Sequence, residues 1–488
     1  MRRVRPPARS LSTGEHSSGI AFDRFCARRL QAPDRRTPAI LQLLRAAFLC
    51  LDGRVWLIET GRLSRGTRKR GGWTLAVSLL AWLAGCATVP PVRVDLGRLP
   101  PGQHARAQQN LTVFNAVWDL VNRKHYDPKF QGVDWKAAAA TFGPRAAAAQ
   151  DEPQLYAVLR EMLAPLNDSH THALSPREAG ERKSQLRART GFRMSRLEGR
   201  WIVTEVLPGS PAEQAGVKAG WIVVARNGEP LGARIDYRPR EGEEMSWDFL
   251  DEMDRKVTLS ATAKQLSIRS RQIARTLDNG FVYLRFDEFD GTDRRWLSRE
   301  LKRNAEAPGV VIDLRWNPGG ETFSLGISIG EFFDRPIDCG TFISRGGSRR
   351  VQNSWQFGSA QYRGPVVVLV DHPTGSAAEI FSAVLQDHGR ATIVGRRTAG
   401  AVLASWFYRL PDGGELQLSR EDYVSPKGRR IEAAGVEPDV VVPRTLLDLR
   451  LGRDRDLEEA LLILQRKTQS QPVSGAGKSP EFFSPRHP

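Results

Sequence analysis

The chain has 488 residues, with 72 basic against 55 acidic side chains for a formal charge of +17, and is 40% hydrophobic and 26% charged. That composition excludes collagen-like, coiled-coil and wholly disordered classes, and the length exceeds the roughly 250 to 300 residues one core usually supports, so two or three domains are expected. The charge is no nucleic-acid signal: residues 1–70 hold 16 Arg/Lys against 5 Asp/Glu, which is +11 of the +17, and no dense basic stripe interleaved with aromatics follows.

Residues 1–64 are Arg- and Pro-containing and carry no periodic pattern, so they are expected to be either disordered sequence upstream of a later true start or a cytoplasmic extension. Residues 65–85 read as a secretory signal: a basic run through Arg70, an apolar stretch from Trp73 to Ala84, and small residues before a cut site. The apolar stretch is short of the about 20 residues that span a bilayer. Leu83-Ala84-Gly85-Cys86 resembles the bacterial lipobox. That resemblance implies lipidation of Cys86 and a periplasm-facing lipoprotein of the cell envelope, in the outer membrane of a Gram-negative bacterium. Four cysteines without a CxxC or HExxH pair point to neither a metal site nor a disulfide framework, and no cofactor is expected.

An extended, Pro-rich linker is expected over 86–104. Residues 105–185 follow as a helical domain, because Leu111, Phe114, Val117, Trp118 and Val121 recur at helical spacing. Residues 186–264 change to short alternating strands punctuated by Gly and Pro. Pro208-Gly-Ser-Pro-Ala-Glu-Gln-Ala-Gly216 and Gly220-Trp-Ile-Val-Val-Ala-Arg-Asn-Gly228 resemble a PDZ domain. In that resemblance the loop holding Gly191 and Phe192 would receive a peptide's C-terminal carboxylate, with the peptide adding as a strand. Trp221 stands where that family usually has Asp.

Residues 265–450 alternate near-continuous apolar runs, such as Gly309-Val-Val-Ile-Asp-Leu-Arg315 and Pro365-Val-Val-Val-Leu-Val-Asp371, with helical patterns. This is the signature of an α/β domain whose strands are covered on both faces. Residues 451–488 are expected as a C-terminal helix and a disordered tail.

Two turns at strand ends could carry chemistry. In Gly375-Ser376-Ala377-Ala378-Glu379 the serine stands at a helix N-terminus, where its hydroxyl is a nucleophile facing free N–H groups or merely a helix cap. In Asn317-Pro318-Gly319-Gly320, paired glycines let a backbone N–H approach a substrate carbonyl, so one of them with Ala377 would form an oxyanion hole. A serine needs a base. His388, at the far end of the helix that Ser376 starts, is almost 20 Å away at about 1.5 Å rise per residue. His372 lies on the strand exit with its direction open, and Asp168-Ser169-His170-Thr171-His172 offers two imidazoles.

Asp-Ser-His-Thr, the PDZ-like insert, Asp313-Leu-Arg-x-Asn-Pro-Gly-Gly320, Gly-Ser-Ala-Ala-Glu379, Gln386-Asp-x-Gly-Arg-Ala391 and Gly435-Val-Glu-Pro-Asp439 occur in the order found in C-terminal processing, or tail-specific, serine peptidases. Over about residues 105–445 the chain resembles that family, which implies a multidomain α/β protein whose catalytic domain is of the ClpP/crotonase-like type. In members with a serine–lysine dyad the lysine falls 25 residues after the serine, and here that position is Ala401. The chain is similar instead to the histidine-using branch of the tricorn core protease, whose histidine and glutamate match His170 and Glu432. By resemblance His170 would be the base for Ser376, with Glu432 and Ser169 holding and polarising it, while Glu379 and Asp387 would do structural work. The function so implied is an exported serine endopeptidase acting on C-terminal segments of proteins, held to the membrane by its lipid. Its oligomeric state is left open. The alternative is a pseudoprotease, a peptide-binding or scaffolding lipoprotein marked by Ala401.

Overall fold

The computed structural model describes residues 93–232, 238–267, 271–357 and 360–469. The signal segment, Cys86 and the tail beyond Gln469 lie outside the described residues. Of the linker, residues 93–103 are described, and two short 3-10 turns, Leu96–Arg98 and Pro101–Gln103, occupy much of what was expected to be extended. Asp95 caps the first by accepting from Gly97 N–H.

The sheet that carries the catalytic motifs runs in the order Ile273–Thr276, Val282–Arg285, Val310–Asp313, Val366–Val370, Ala391–Gly395, Val440–Val441. Its first pair is antiparallel and the rest is parallel. The apolar runs alternate between two cores. Val366, Val368 and Val370 face helices Gly291–Arg303, Thr322–Gly330 and Ala377–Asp387, whereas Val367 and Leu369 face the C-terminal helix Arg455–Gln469. Every residue of Val366–Val370 is buried, as period-two side chains on a doubly covered strand require. The Asp-Leu-Arg segment anchors the C-terminal helix: Asp313 accepts from Tyr283 Oη at 2.6 Å and from Arg315, and Arg315 reaches on to Asp454 and Asp456.

A second, antiparallel sheet joins His172–Leu174, Glu415–Val424, Asp338–Ser344 and Arg349–Asn353 in that order, with Ala404–Arg409 also on Glu415–Val424. The helical region, His104–Lys124, Trp135–Ala148 and Glu152–Leu163, packs against this sheet: Phe114, Val117, Tyr156 and Leu159 share a core with Leu410, Leu416 and Leu418. Asp134 and Asp151 cap the second and third of these helices through their carboxylates. The expected helical domain is thus a cover for strands more than 200 residues downstream.

A six-stranded antiparallel sheet occupies the region read as PDZ-like, in the order Phe192–Leu197, Arg200–Val206, Ile222–Arg226, Glu244–Leu250, Lys256–Thr262, with Glu229–Pro230 on the third. Phe192–Leu197 has a strand on one side only and is an edge. Trp221 is buried in this core and donates Nε1–H to Glu252 at 2.7 Å.

Phe381 is fully buried where the catalytic helix meets Phe289 and Phe332. Replacing it with alanine is expected to cost about 3 to 5 kcal/mol, read as a lower urea midpoint.

Candidate active site

Ser376 ends the turn after Val366–Val370 and has φ 53 and ψ −122, a conformation that L side chains avoid and that clusters at functional sites. It stands at the helix N-cap, facing Glu379 in the reciprocal arrangement of a capping box. The N–H of Glu379 is satisfied by the Ser376 carbonyl at 3.0 Å, and the Glu379 carboxylate instead reaches back to Ser376 N–H at 3.1 Å. The structural role expected of Glu379 is visible: fully buried, it also gathers Gly400 N–H at 2.7 Å, Ala401 N–H at 2.8 Å and the Thr398 hydroxyl. Burial pushes its carboxyl up and these donors oppose the shift.

The glycine turn is stitched to the serine turn. Asn317, fully buried, accepts at its carbonyl from Gly375 N–H at 2.9 Å and donates Nδ2 to Phe286 O at 3.0 Å. Its Oδ1 accepts from Gly319 N–H at 2.9 Å. That bond corrects part of the sequence-based assignment: Gly319 N–H is committed, so the uncommitted donors here are Ala377 N–H, at the first helical position, and Gly320 N–H. Gly319 serves by being small. With φ +105, a Cβ there would lie 2.5 Å from Ser376 Cβ and 2.6 Å from Ala377 N.

His170 lies on the loop before strand His172–Leu174. Its Nδ1 is 2.7 Å from Ser169 Oγ, which lies 3.1 Å from Glu432 Oε2, and Glu432 Oε1 accepts from Ser169 N–H at 3.2 Å. A carboxylate only accepts, so the single Ser169 hydrogen points to Glu432 and the Nδ1–H of His170 donates to Ser169 Oγ. The Nε2 lone pair is thereby left free. Burial pulls the imidazole down to about 4, with Asp168 opposing and His172 assisting, which keeps the ring neutral. Burial pushes Glu432 up, against its three donors, the third being Val402 N–H at 2.9 Å.

Ser376 joins this relay through the backbone. Its N–H donates to the Ala401 carbonyl at 2.7 Å, and the next residue, Val402, donates to Glu432. Ala401 thus sits against the main chain of Ser376. In this conformation no hydrogen bond joins Ser376 Oγ to His170 Nε2.

Sequence reasoning missed His125. Its side chain and that of Asp168 are fully buried and 2.8 Å apart through Nε2, while Nδ1 lies 3.0 Å from the Asp127 carbonyl. Both partners are acceptors, so each ring nitrogen is placed to donate. Burial alone would raise the Asp168 carboxyl, but hydrogen bonds from His125, Thr171 and Ser419 outweigh it and hold it down at about 2. Asp168 also accepts the N–H groups of His170, at 3.0 Å, and Thr171, at 2.7 Å, which fixes the loop. No spacing rule links His125 to a loop 43 residues away. Of the other histidines, His172 is exposed, with Nε2 3.0 Å from Ser169 O; His388 Nε2 lies 2.8 Å from Asp338 O; and His372 is exposed.

Residues 280–442 match the model of peptidase family S41 and residues 106–164 that of the tricorn protease C1 domain. Residues 280–442 thus carry a peptidase S41 domain, which makes the chain a serine-type peptidase. It is 27% identical over 447 residues to a carboxyl-terminal-processing protease of Synechocystis sp., covering 85% of this chain and all of the relative. It is 28% identical to the chloroplastic carboxyl-terminal-processing peptidase 3 of Arabidopsis thaliana, over 70% of this chain and 72% of the relative. Among solved structures, the photosystem II D1 C-terminal processing protease superposes with a TM-score of 0.53 at 23% identity, over 73% of this chain and 97% of that one. The mixed α/β architecture is accordingly that of this S41 peptidase. Among the described residues no group of side chains is arranged to hold a metal ion.

Two outcomes are expected. Nitrogen-resolved NMR of the histidine rings should show His170 neutral at pH 6 with the proton on Nδ1, titrating only as pH falls toward 4; a ring that titrates at its ordinary value with the proton on Nε2 contradicts the relay. Gly319→Ala should lower turnover by at least about a hundredfold, because displacing the serine by about an ångström suffices, while circular dichroism stays unchanged.

Proposed function

We propose that this S41 peptidase cleaves peptide bonds by acyl transfer with Ser376 as nucleophile and His170 as base. The observation that carries the reading is the chain Glu432–Ser169–His170, which leaves Nε2 as a proton acceptor without a lysine. Nε2 would take the hydroxyl proton as Ser376 Oγ attacks the carbonyl carbon. The same proton would then pass to the leaving amine, and water would hydrolyse the ester. Ala377 N–H and Gly320 N–H would meet the developing oxyanion. The Oγ–Nε2 hydrogen bond would close when substrate binds, as such bonds often tighten only in the complex.

Substrates would be chosen by their C-termini. Gly191, with φ +100, opens edge strand Phe192–Leu197, and a Cβ at Gly191 would strike Ser210 Cβ at 2.2 Å. A tail adding to that edge would bring its carboxylate to the N–H groups of Gly191 and Phe192. The relatives named for carboxyl-terminal processing support this assignment. Export through residues 65–85 and acylation at Cys86 complete the reading, with the enzyme on the periplasmic side of the envelope. Among the described residues no helix is long and apolar enough to cross a membrane. The pseudoprotease alternative is disfavoured by the intact relay.

A fluorophosphonate probe should label the protein at Ser376. Ser376→Ala should abolish labelling, and His170→Ala should slow it by a hundred- to ten-thousand-fold, roughly the worth of a positioned base. Adding Ala401→Lys to His170→Ala should restore nothing. Failure of the wild type to label returns the chain to the scaffold reading.

A further inference from the structure

The loop that opens edge strand Phe192–Leu197 borders a cavity of about 550 Å³ that also reaches His172 and Phe407 of the second sheet. Its floor is apolar, with Phe192, Met194 and Trp247. Its walls are not: six arginines line it against two glutamates, Glu178 and Glu181. Four of the six have carboxylates of their own. Arg160 and Arg238 share Glu178, Arg177 pairs with Glu181, and Arg182 pairs with Glu415.

Arg187 and Arg189 differ. They stand two apart on strand Leu186–Arg189, hence on one face, and neither pairs with a carboxylate among the described residues. Arg189 donates Nη2 to the Ser267 carbonyl at 2.9 Å, while its buried Nε has no acceptor. Burial and the nearby cations Arg187, Arg193 and Arg271 pull its guanidinium down to about 10. Arg187 is exposed at the rim while Arg189 is part-buried, so the missing anion is marked by Arg189, whose buried Nε has no carboxylate and whose charge is costly to leave unpartnered, with Arg187 beside it as a second cation. One terminal carboxylate seated on backbone N–H groups leaves Arg189 Nε, and the charge of both guanidiniums, without a carboxylate.

We propose that this cleft selects peptide tails with an acidic side chain close to the C-terminus, the side-chain carboxylate pairing with Arg187 and Arg189 while the last apolar residue enters the floor. The inference rests on the C-terminal reading given above and adds a substrate class to it. It makes Arg187 and Arg189 specificity-determining residues remote from the chemistry.

The test uses the full chain carrying Ser376→Ala and fluorescein-labelled decapeptides ending Glu-Glu-Ala-Ala or Gln-Gln-Ala-Ala, each as free acid and as amide, read by anisotropy. The glutamate peptide should bind about tenfold or more tightly than the glutamine peptide, as a charge-assisted pair in a half-buried site implies. That preference should shrink with salt. Arg187→Gln with Arg189→Gln should remove the preference. Equal affinities for the two free acids on the unsubstituted cleft, or a preference that survives the double substitution, overturn the proposal and leave C-terminal recognition standing. Amides that bind as well as the acids, or no binding by any peptide, overturn both.

Discussion

The carboxylate of Glu432 is the constraint on which the site depends. It accepts twice from Ser169, 263 residues earlier, and once from Val402, so one buried group closes the His170 loop onto the segment that backs Ser376. Its charge also orients a hydroxyl and, through it, a ring tautomer. Without an acceptor at that place the Ser169 hydrogen could turn to Nδ1, and the proton on the imidazole would move to Nε2, where it blocks the lone pair that chemistry needs. Geometry and protonation are therefore set by one contact.

A second carboxylate does comparable work for the backbone. Glu379 draws together Ser376, Thr398, Gly400 and Ala401, holding the nucleophile in a main-chain conformation that would otherwise relax. Asn317 does the same between the glycine and serine turns. A buried polar group fully satisfied by hydrogen bonds rigidifies its surroundings, and these two fix the positions from which free N–H groups and a free hydroxyl face the cleft. Ala401 contributes its main chain to the Ser376 turn and no side chain.

Much of this was legible from order and spacing. The turn bearing Ser376, the paired glycines and the buried strands follow from local pattern, because the residues that define each lie within one element. His170 and Glu432 were reached by resemblance, and their joint contact with Ser169 needed coordinates. What stayed hidden is long-range pairing of polar groups. The His125–Asp168 pair, the Ser419 contact to Asp168 and the commitment of Gly319 N–H to Asn317 have no periodicity to betray them. The linker shows the reverse error: prolines read as extended chain, yet Asp95 and Pro101 start tight turns, both common roles for those residues.

The helical region that opens the described chain has a bearing on how the protein can be dissected. Its apolar face is completed by Leu410, Leu416 and Leu418, and strand His172–Leu174 pairs with Glu415–Val424. Amputating the leading helices would strip the roof from a sheet whose central strand carries Ser419, and so unseat the Asp168–His170 loop from behind. Evolution cannot shuffle this segment away as an independent cassette; it is the missing half of a layer begun at the other end of the chain.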